Sequence, residues 1–385
     1  MKFSSLSESF PSNILQILEA RRFELMREGR EAINLSAGTP DLPPAKHVMD
    51  ALIEAAADPE NYKYALIDTP ELIEAVSQWY ERRYGVRIEK GECASVYGTQ
   101  EGMAHIFHLL CDPGDLVIVG TPGYPIFSFG PLFAKAKLYK SPLKPENGFL
   151  FDFESIDSAA ADKAKVIIAS YPSNPLAAVA NDDFYLRLIA FAKKRGLIVI
   201  HDNAYSEFVH SGNPGGSFLQ YPGAKEVGIE FNSLSKSHNL TGLRISFALG
   251  NRQIISEFSK LRSQIDYGIS LIDQKAAVAA LTGPQDAVEE NRRAYRLRRD
   301  VFCKALQSFG WDVPFTPATM FTWFPLPHGG DSLQFCMDML ERTGVISVPG
   351  SSFGEGGEGW VRFALVQPPE VLAAVAARFK ERGVI

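Results

Sequence analysis

Short runs of Val and Ile, each only a strand long and separated by helix-length stretches, constrain this chain more than any other feature. They are Asp115-Leu-Val-Ile-Val119, Val166-Ile-Ile-Ala-Ser170, Leu197-Ile-Val-Ile200, Val227-Gly-Ile-Glu-Phe231 and Ile245-Ser-Phe-Ala-Leu249. Runs this apolar suit strands covered on both faces, because a strand with one wet face would alternate polar and apolar residues. Residues 181–195, between two of the runs, have helical spacing. Asn181 can cap, and Phe184, Leu188, Phe191 and Ala192 recur on one face. Lys193, Lys194 and Arg195 fill the last turn and Gly196 ends it. A second helix is predicted from Thr69-Pro70, with Thr as cap, Pro at the first helical position and Leu72, Val76 and Trp79 as its buried face. Strand, helix and strand in this order predict an α/β fold whose sheet is mostly parallel and flanked by helices.

The texture changes after about residue 275. A long charged helix is expected over residues 289–306, followed by short strands near 320–324, 345–348 and 361–365 and a last helix. The expected organisation is an N-terminal arm (1–35) joining a small domain, a large domain (36–275) and a small α+β domain (276–385), in keeping with a length of 385 residues. With 39 Lys and Arg against 45 Asp and Glu the formal charge is −6, which argues against a general nucleic-acid binder. There is no run of about 18 apolar residues to span a membrane and no signal-like N-terminus. The four cysteines form no C-x-x-C pair and no histidine lies at metal-ligand spacing beside them. Reduced, buried thiols in a cytoplasmic protein are therefore expected, with no metal site. His105 and His108 are read as a helix-face or core pair.

Ligands of open α/β sheets bind where the strands end. The loops there are rich in chemistry: Gly120-Thr-Pro-Gly-Tyr124, Tyr171-Pro-Ser-Asn174-Pro175, His201-Asp202-Asn203-Ala204-Tyr205 and Asn232-Ser233-Leu-Ser235-Lys236. A desolvated lysine forms Schiff bases. Pyridoxal phosphate needs such a lysine, an acid against its pyridine nitrogen and donors for its phosphate. Lys236 and Asp202 supply the first two. Asn174 and Tyr205 would donate to the ring's phenolate oxygen, and Tyr124 would stack on the ring. Ser233, Ser235 and Arg244 would bind the phosphate, helped by Gly98, Thr99 and Gln100 at the start of a helix.

The segment Ser233-Leu-Ser-Lys236-Ser-His-Asn-Leu-Thr-Gly-Leu-Arg244 resembles the lysine motif of the class I/II aminotransferases of PLP fold type I. The acid and phenol three apart (Asp202, Tyr205), Asn174-Pro175 and Ser36-Ala-Gly38-Thr-Pro-Asp41 are similar to further motifs of that family, in its order along the chain. The resemblance implies pyridoxal 5′-phosphate as cofactor, a small-molecule amino acid and a 2-oxo acid as partners, and a homodimer. It implies that Arg362 binds the substrate carboxylate with Gly38 and Asn174 beside it, and that Tyr64 reaches the partner's phosphate. Residues 222–242 and 351–359 resemble the LL-diaminopimelate aminotransferases most, which implies LL-diaminopimelate with 2-oxoglutarate/glutamate, and hence lysine biosynthesis. Leu243 stands where that group commonly has Trp, and Ile67 where some members have an acid. An alanine- or aspartate-type donor stays open, as does a C–S β-lyase on the same fold. Gly354-Glu-Gly356-Gly-Glu-Gly359 matches a dinucleotide-binding pattern, but it precedes a strand instead of following one, so a flexible loop before Arg362 is expected.

Overall fold

The computed structural model describes residues 1–8, 14–211 and 215–385. Its strands are β1 (Ile33–Asn34), β2 (Cys93–Val96), β3 (Leu116–Thr121), β4 (Lys137–Pro142), β5 (Ala164–Ser170), β6 (Ile198–Asp202), β7 (Gly228–Ser233), β8 (Ser246–Gly250), β9 (Phe321–Pro325), β10 (Val345–Ile346), β11 (Val348–Pro349) and β12 (Trp360–Ala364). Seven of them form the main sheet in the order β2-β8-β7-β6-β5-β3-β4. Neighbouring strands from β7 to β4 are parallel, whereas β8 runs antiparallel to both β7 and β2.

Strand alternation divides the apolar runs between two cores. Val117, Val119, Val166, Ile168 and Ile200 belong to one cluster, while Ile118, Ile167, Ala169 and Val199 belong to the other. Both faces of the sheet are thus dry, and this is why these strands read as continuous apolar runs. The helix Asp182–Arg195 forms as its sequence predicts. Asn181 accepts from the Phe184 amide (2.9 Å), and Gly196 closes the helix at φ +68°. The helix Pro70–Tyr84 likewise has Thr69 as its cap.

Two predicted strands differ in detail. Val227 ends a short helix, Ala224–Val227, and β7 begins at Gly228, where a Cβ would overlap the Val199 carbonyl of β6. Residues 345–348 divide into β10 and β11, because Val345 and Ile346 pair with β1 while Val348 and Pro349 pair with β12.

A third core of Tyr295, Phe302, Leu306, Trp311, Phe324, Phe363 and Phe379 sits around the three-stranded sheet β11-β12-β9 and the helices Asp286–Ser308 and Pro369–Glu381. The arm joins this unit. β1 pairs parallel with β10, and Leu18 and Leu25 of the helix Ile14–Arg27 pack on Leu340 and Ile346. Arg21 grips Glu341 through two nitrogens (2.5 and 3.0 Å). Asp41 receives a bidentate pair from Arg298 (2.6 and 2.8 Å). Residue 275 lies inside the helix Leu271–Thr282, whose Ala276, Ala277, Ala280 and Leu281 are buried in the main-sheet core. Among the described residues, no helix is long and apolar enough to cross a membrane. All four cysteines are buried and none is in a disulfide.

Candidate active site

One edge of the main sheet carries the site. The carboxyl ends of β3, β5, β6 and β7 release the loops bearing Tyr124, Asn174, Asp202 with Tyr205, and Ser233 to Lys236. The antiparallel turn of β8 adds one more group, since Arg244 precedes β8 and so emerges at the same edge. These residues surround a cleft of about 450 Å³ whose far wall is the small unit, through Phe321, Val348, Phe353 and Arg362. Gly38, Gly98, Thr99, Gln100 and Ser235 also line it. The structure thus brings together every site residue expected from the sequence except Tyr64. That side chain is 80 % exposed and meets Tyr267 edge-on (5.1 Å) away from the cleft.

Lys236 donates through Nζ to the Gly38 carbonyl (2.5 Å). Burial, with the Arg244 and Arg362 guanidinium groups nearby, lowers its pKa to about 8. Asp202 is raised to about 6, first by burial; His201 and the Ala204 amide oppose the shift. Its Oδ1 is buried and has no hydrogen-bond partner among the described residues. Burial also holds the Tyr205 hydroxyl well above the usual phenol range. Tyr124 donates to Oε1 of Gln100 (2.8 Å).

Arg362 lies on β12 between the rings of Phe321 and Phe353 (4.2 and 4.9 Å from their centroids). It donates to Oδ1 of Asn174 (2.9 Å) and to the Ser36 carbonyl (2.8 Å), while burial lowers its pKa to about 10. It therefore stays cationic at neutral pH.

Ser233, Ser235 and Arg244 gather at the start of the helix Thr99–Leu110. The Ser233 hydroxyl accepts from the Ser235 amide (3.1 Å) and from Ser246 (2.7 Å). Gly98 caps the helix at φ +93°, and a Cβ there would overlap Nη2 of Arg244. A cationic guanidinium, hydroxyls and free helix-terminal N–H groups at one spot form an anion cradle.

Two acids were missed from the sequence. Glu230, in the middle of β7, is fully buried and accepts from Tyr80 (2.9 Å), Ser217 (2.8 Å) and the Phe218 amide (2.8 Å). It faces Nδ1 of His201 at 3.0 Å. Strand alternation puts this pair behind the sheet from Asp202. A lone acid in an otherwise apolar run was the signal that could have found it. Glu19 of the helix Ile14–Arg27 lines the cleft itself, and no sequence signal distinguished it from a solvated helix charge. His105 is bonded to Glu101 (2.6 Å), with Asp266 close by. Arg262 bonds Asp266 (3.0 Å) and approaches Glu101 (3.7 Å), so a guanidinium already balances these acids. The segment expected as a flexible loop before Arg362 is packed instead: Gly354 and Gly356 press against Thr121 and Pro122, and Gly123 donates to the Phe353 carbonyl (2.9 Å).

The profile of the family "Aminotransferase class I and II" matches residues 30–379. The chain belongs to this family. It is an aminotransferase with pyridoxal 5′-phosphate as cofactor, and the cleft fits that group. The unpartnered Oδ1 of Asp202 suits a protonated ring nitrogen, and the Gly98–Arg244 cradle suits a phosphate. Relatives include the LL-diaminopimelate aminotransferase of Dehalococcoides mccartyi, 39 % identical with all of both chains covered. The LL-diaminopimelate aminotransferase of Moorella thermoacetica is 41 % identical over 96 % of this aminotransferase and 95 % of its own length. Among solved structures, substrate-bound BacF from Bacillus subtilis matches with a TM-score of 0.95 and 36 % identity, covering 99 % of this chain and 98 % of that one.

Proposed function

We propose that this aminotransferase moves an amino group between LL-diaminopimelate and 2-oxoglutarate/glutamate, as a step of lysine biosynthesis in the cytoplasm. The carrying observation is near-complete coverage by LL-diaminopimelate aminotransferases at 39 % and 41 % identity. Arg362 would pair bidentately with the substrate α-carboxylate through its remaining N–H donors, keeping its bonds to Asn174 and the Ser36 carbonyl. Asn174, already bonded to Arg362, would hold that carboxylate's orientation. Pyridoxal phosphate, when bound, supplies the electron sink that makes the substrate Cα–H acidic. Asp202 would accept a hydrogen bond from the pyridine nitrogen and keep it protonated. Tyr205 and Asn174 would donate to the phenolate oxygen, and Tyr124 would lie against the ring. Arg244, Ser233, Ser235 and the backbone of Gly98, Thr99 and Gln100 would hold the phosphate. The neutral Lys236 amine would take the Cα proton and deliver it to the cofactor's C4′ carbon.

The test is a half-reaction screen of holoenzyme with LL-diaminopimelate, glutamate, alanine, aspartate, methionine and phenylalanine, reading formation of pyridoxamine phosphate. LL-diaminopimelate and glutamate are expected to convert fastest. Conversion of alanine or aspartate with LL-diaminopimelate silent would refute the substrate assignment. Release of pyruvate and ammonia from a thioether donor would point to the β-lyase.

The working form is a homodimer, on this proposal, with Tyr64 reaching the partner's phosphate site. Tyr62, Tyr64, Leu66, Ile67 and Tyr267 are exposed together at 52–80 % each, a patch of the kind that a second copy covers. Sedimentation should give a dimer; a fully active monomer would overturn this. We further take the arm (1–35) and the residues after the helix Leu271–Thr282 as one unit that moves against the large one. This places the boundary seven residues later than the sequence suggests (282 − 275), because that helix packs with the main sheet.

A further inference from the structure

Among the described residues, the charged side chains lining the cleft are Glu19, Asp202, Lys236, Arg244 and Arg362. The proposed chemistry employs the last four. Glu19 is left over, and it is an anion in a cleft whose substrates each bring an α-carboxylate.

Its surroundings are built. Oε1 accepts from Nδ2 of Asn34 (2.6 Å) and Oε2 from Nε of Arg22 (2.7 Å). Two carboxylate oxygens offer about four acceptor positions, so each keeps capacity for another donor. The Glu19 side chain is 30 % exposed, which leaves it open to the cleft. Asn34 in turn accepts from the Ser36 amide (2.8 Å), the Ser36 hydroxyl (2.9 Å) and the Ala37 amide (3.3 Å). The Ser36 carbonyl receives Arg362 (2.8 Å). Glu19 and Arg362 are therefore the two ends of one hydrogen-bonded chain, which fixes their separation. The helix that carries Glu19 is held by Leu18, Leu25 and the Arg21–Glu341 fork.

We infer that Glu19 is a subsite for the far end of the substrate, and that this end carries an ammonium. Glu19 takes the ammonium, with Arg22 holding Glu19 in place (2.7 Å), while Arg362 holds the reacting end. A plain dicarboxylic donor brings only a carboxylate, and gains nothing from Glu19. The inference rests on the LL-diaminopimelate assignment.

The experiment compares two donors that differ only in the distal ammonium: LL-diaminopimelate and L-2-aminoheptanedioate. Single-turnover kcat/KM is measured for wild-type holoenzyme, Glu19→Gln and Glu19→Asp. In wild type, LL-diaminopimelate is the better donor. In Glu19→Gln the ratio of the two falls by about 10- to 100-fold, the worth of one hydrogen bond to a charged group, and the change resides in KM. Glu19→Asp restores part of the ratio. A loss shared equally by both donors, or a ratio within about threefold of wild type, overturns the inference. If wild type leaves LL-diaminopimelate unconverted, the substrate assignment falls, and with it this role for Glu19. If wild type converts it and Glu19→Gln keeps the ratio, the substrate assignment stands and the role of Glu19 alone falls.

Discussion

Lys236→Ala should slow the half-reaction with the best donor by about 10³- to 10⁴-fold, the upper range for removing a positioned acid/base. Lys236 sits in the short helix Leu234–Ser237 just after β7, is buried in the cleft, and has two guanidinium groups as electrostatic neighbours. Both effects disfavour an ammonium, so half the side chains are neutral near pH 8, where about 0.4 % of ordinary lysines would be. A neutral amine is what both nucleophilic attack and proton transfer require. Combination of the cofactor-free protein with pyridoxal phosphate should therefore accelerate as pH rises, with an apparent pKa of about 8. Lys236→Ala should still bind the cofactor through the phosphate cradle, as dialysis and absorbance would show. Proton transfer within tenfold of wild type would remove Lys236 from its assigned role.

Asp202→Asn comes next, with an expected loss of about 10²- to 10³-fold in kcat, the scale on which deletion of one preorganised electrostatic partner registers. Burial raises Asp202 to about 6, so the carboxylate form dominates above that pH and the neutral acid below it. Only the carboxylate stabilises a protonated ring nitrogen. Cofactor affinity of the wild type should accordingly weaken as pH falls through about 6. The phosphate group titrates in the same region, so the variant is the control: Asp202→Asn should keep the phosphate's contribution and lose the rest. Equal pH profiles for the two proteins would contradict the pairing. The amide is nearly isosteric, so melting temperature should change little and a folding defect is separable from the electrostatic one.

The main sheet was legible because its strands are dry on both faces, and each run from residue 115 to 249 became a strand within two residues of its expected bounds. The site was legible for a related reason. Parallel strands all end at one edge, so loops that follow apolar runs must share a crevice. Arg244 reached that edge by a different route, since β8 is antiparallel, and an apolar run does not reveal its direction. Glu230 was hidden inside such a run. Its partners Tyr80 and Ser217 come from distant parts of the chain, so only the assembled fold shows why a buried acid is tolerated. Glu19 was illegible for the opposite reason: on an amphipathic helix an acid reads as solvated unless something says which face the cleft lies against. Tyr64 stands outside the cleft, exposed beside Tyr267, and nothing in its sequence surroundings signals which surface it faces.

The helix Ile14–Arg27 bears on how such enzymes diverge. It docks through Leu18, Leu25, the Arg21–Glu341 ion pair and the Glu19–Asn34 hydrogen bond, and several of its side chains, among them Ile17 and Phe23, are exposed. Exchanges on such a surface usually change stability by less than about 0.5 kcal/mol. The cofactor residues, by contrast, are anchored in the central strands. Natural selection can therefore revise what the cleft admits without risking the fold or the chemistry. Lineages sharing every strand-end residue seen here could part company over diet alone, through one or two codons of this helix.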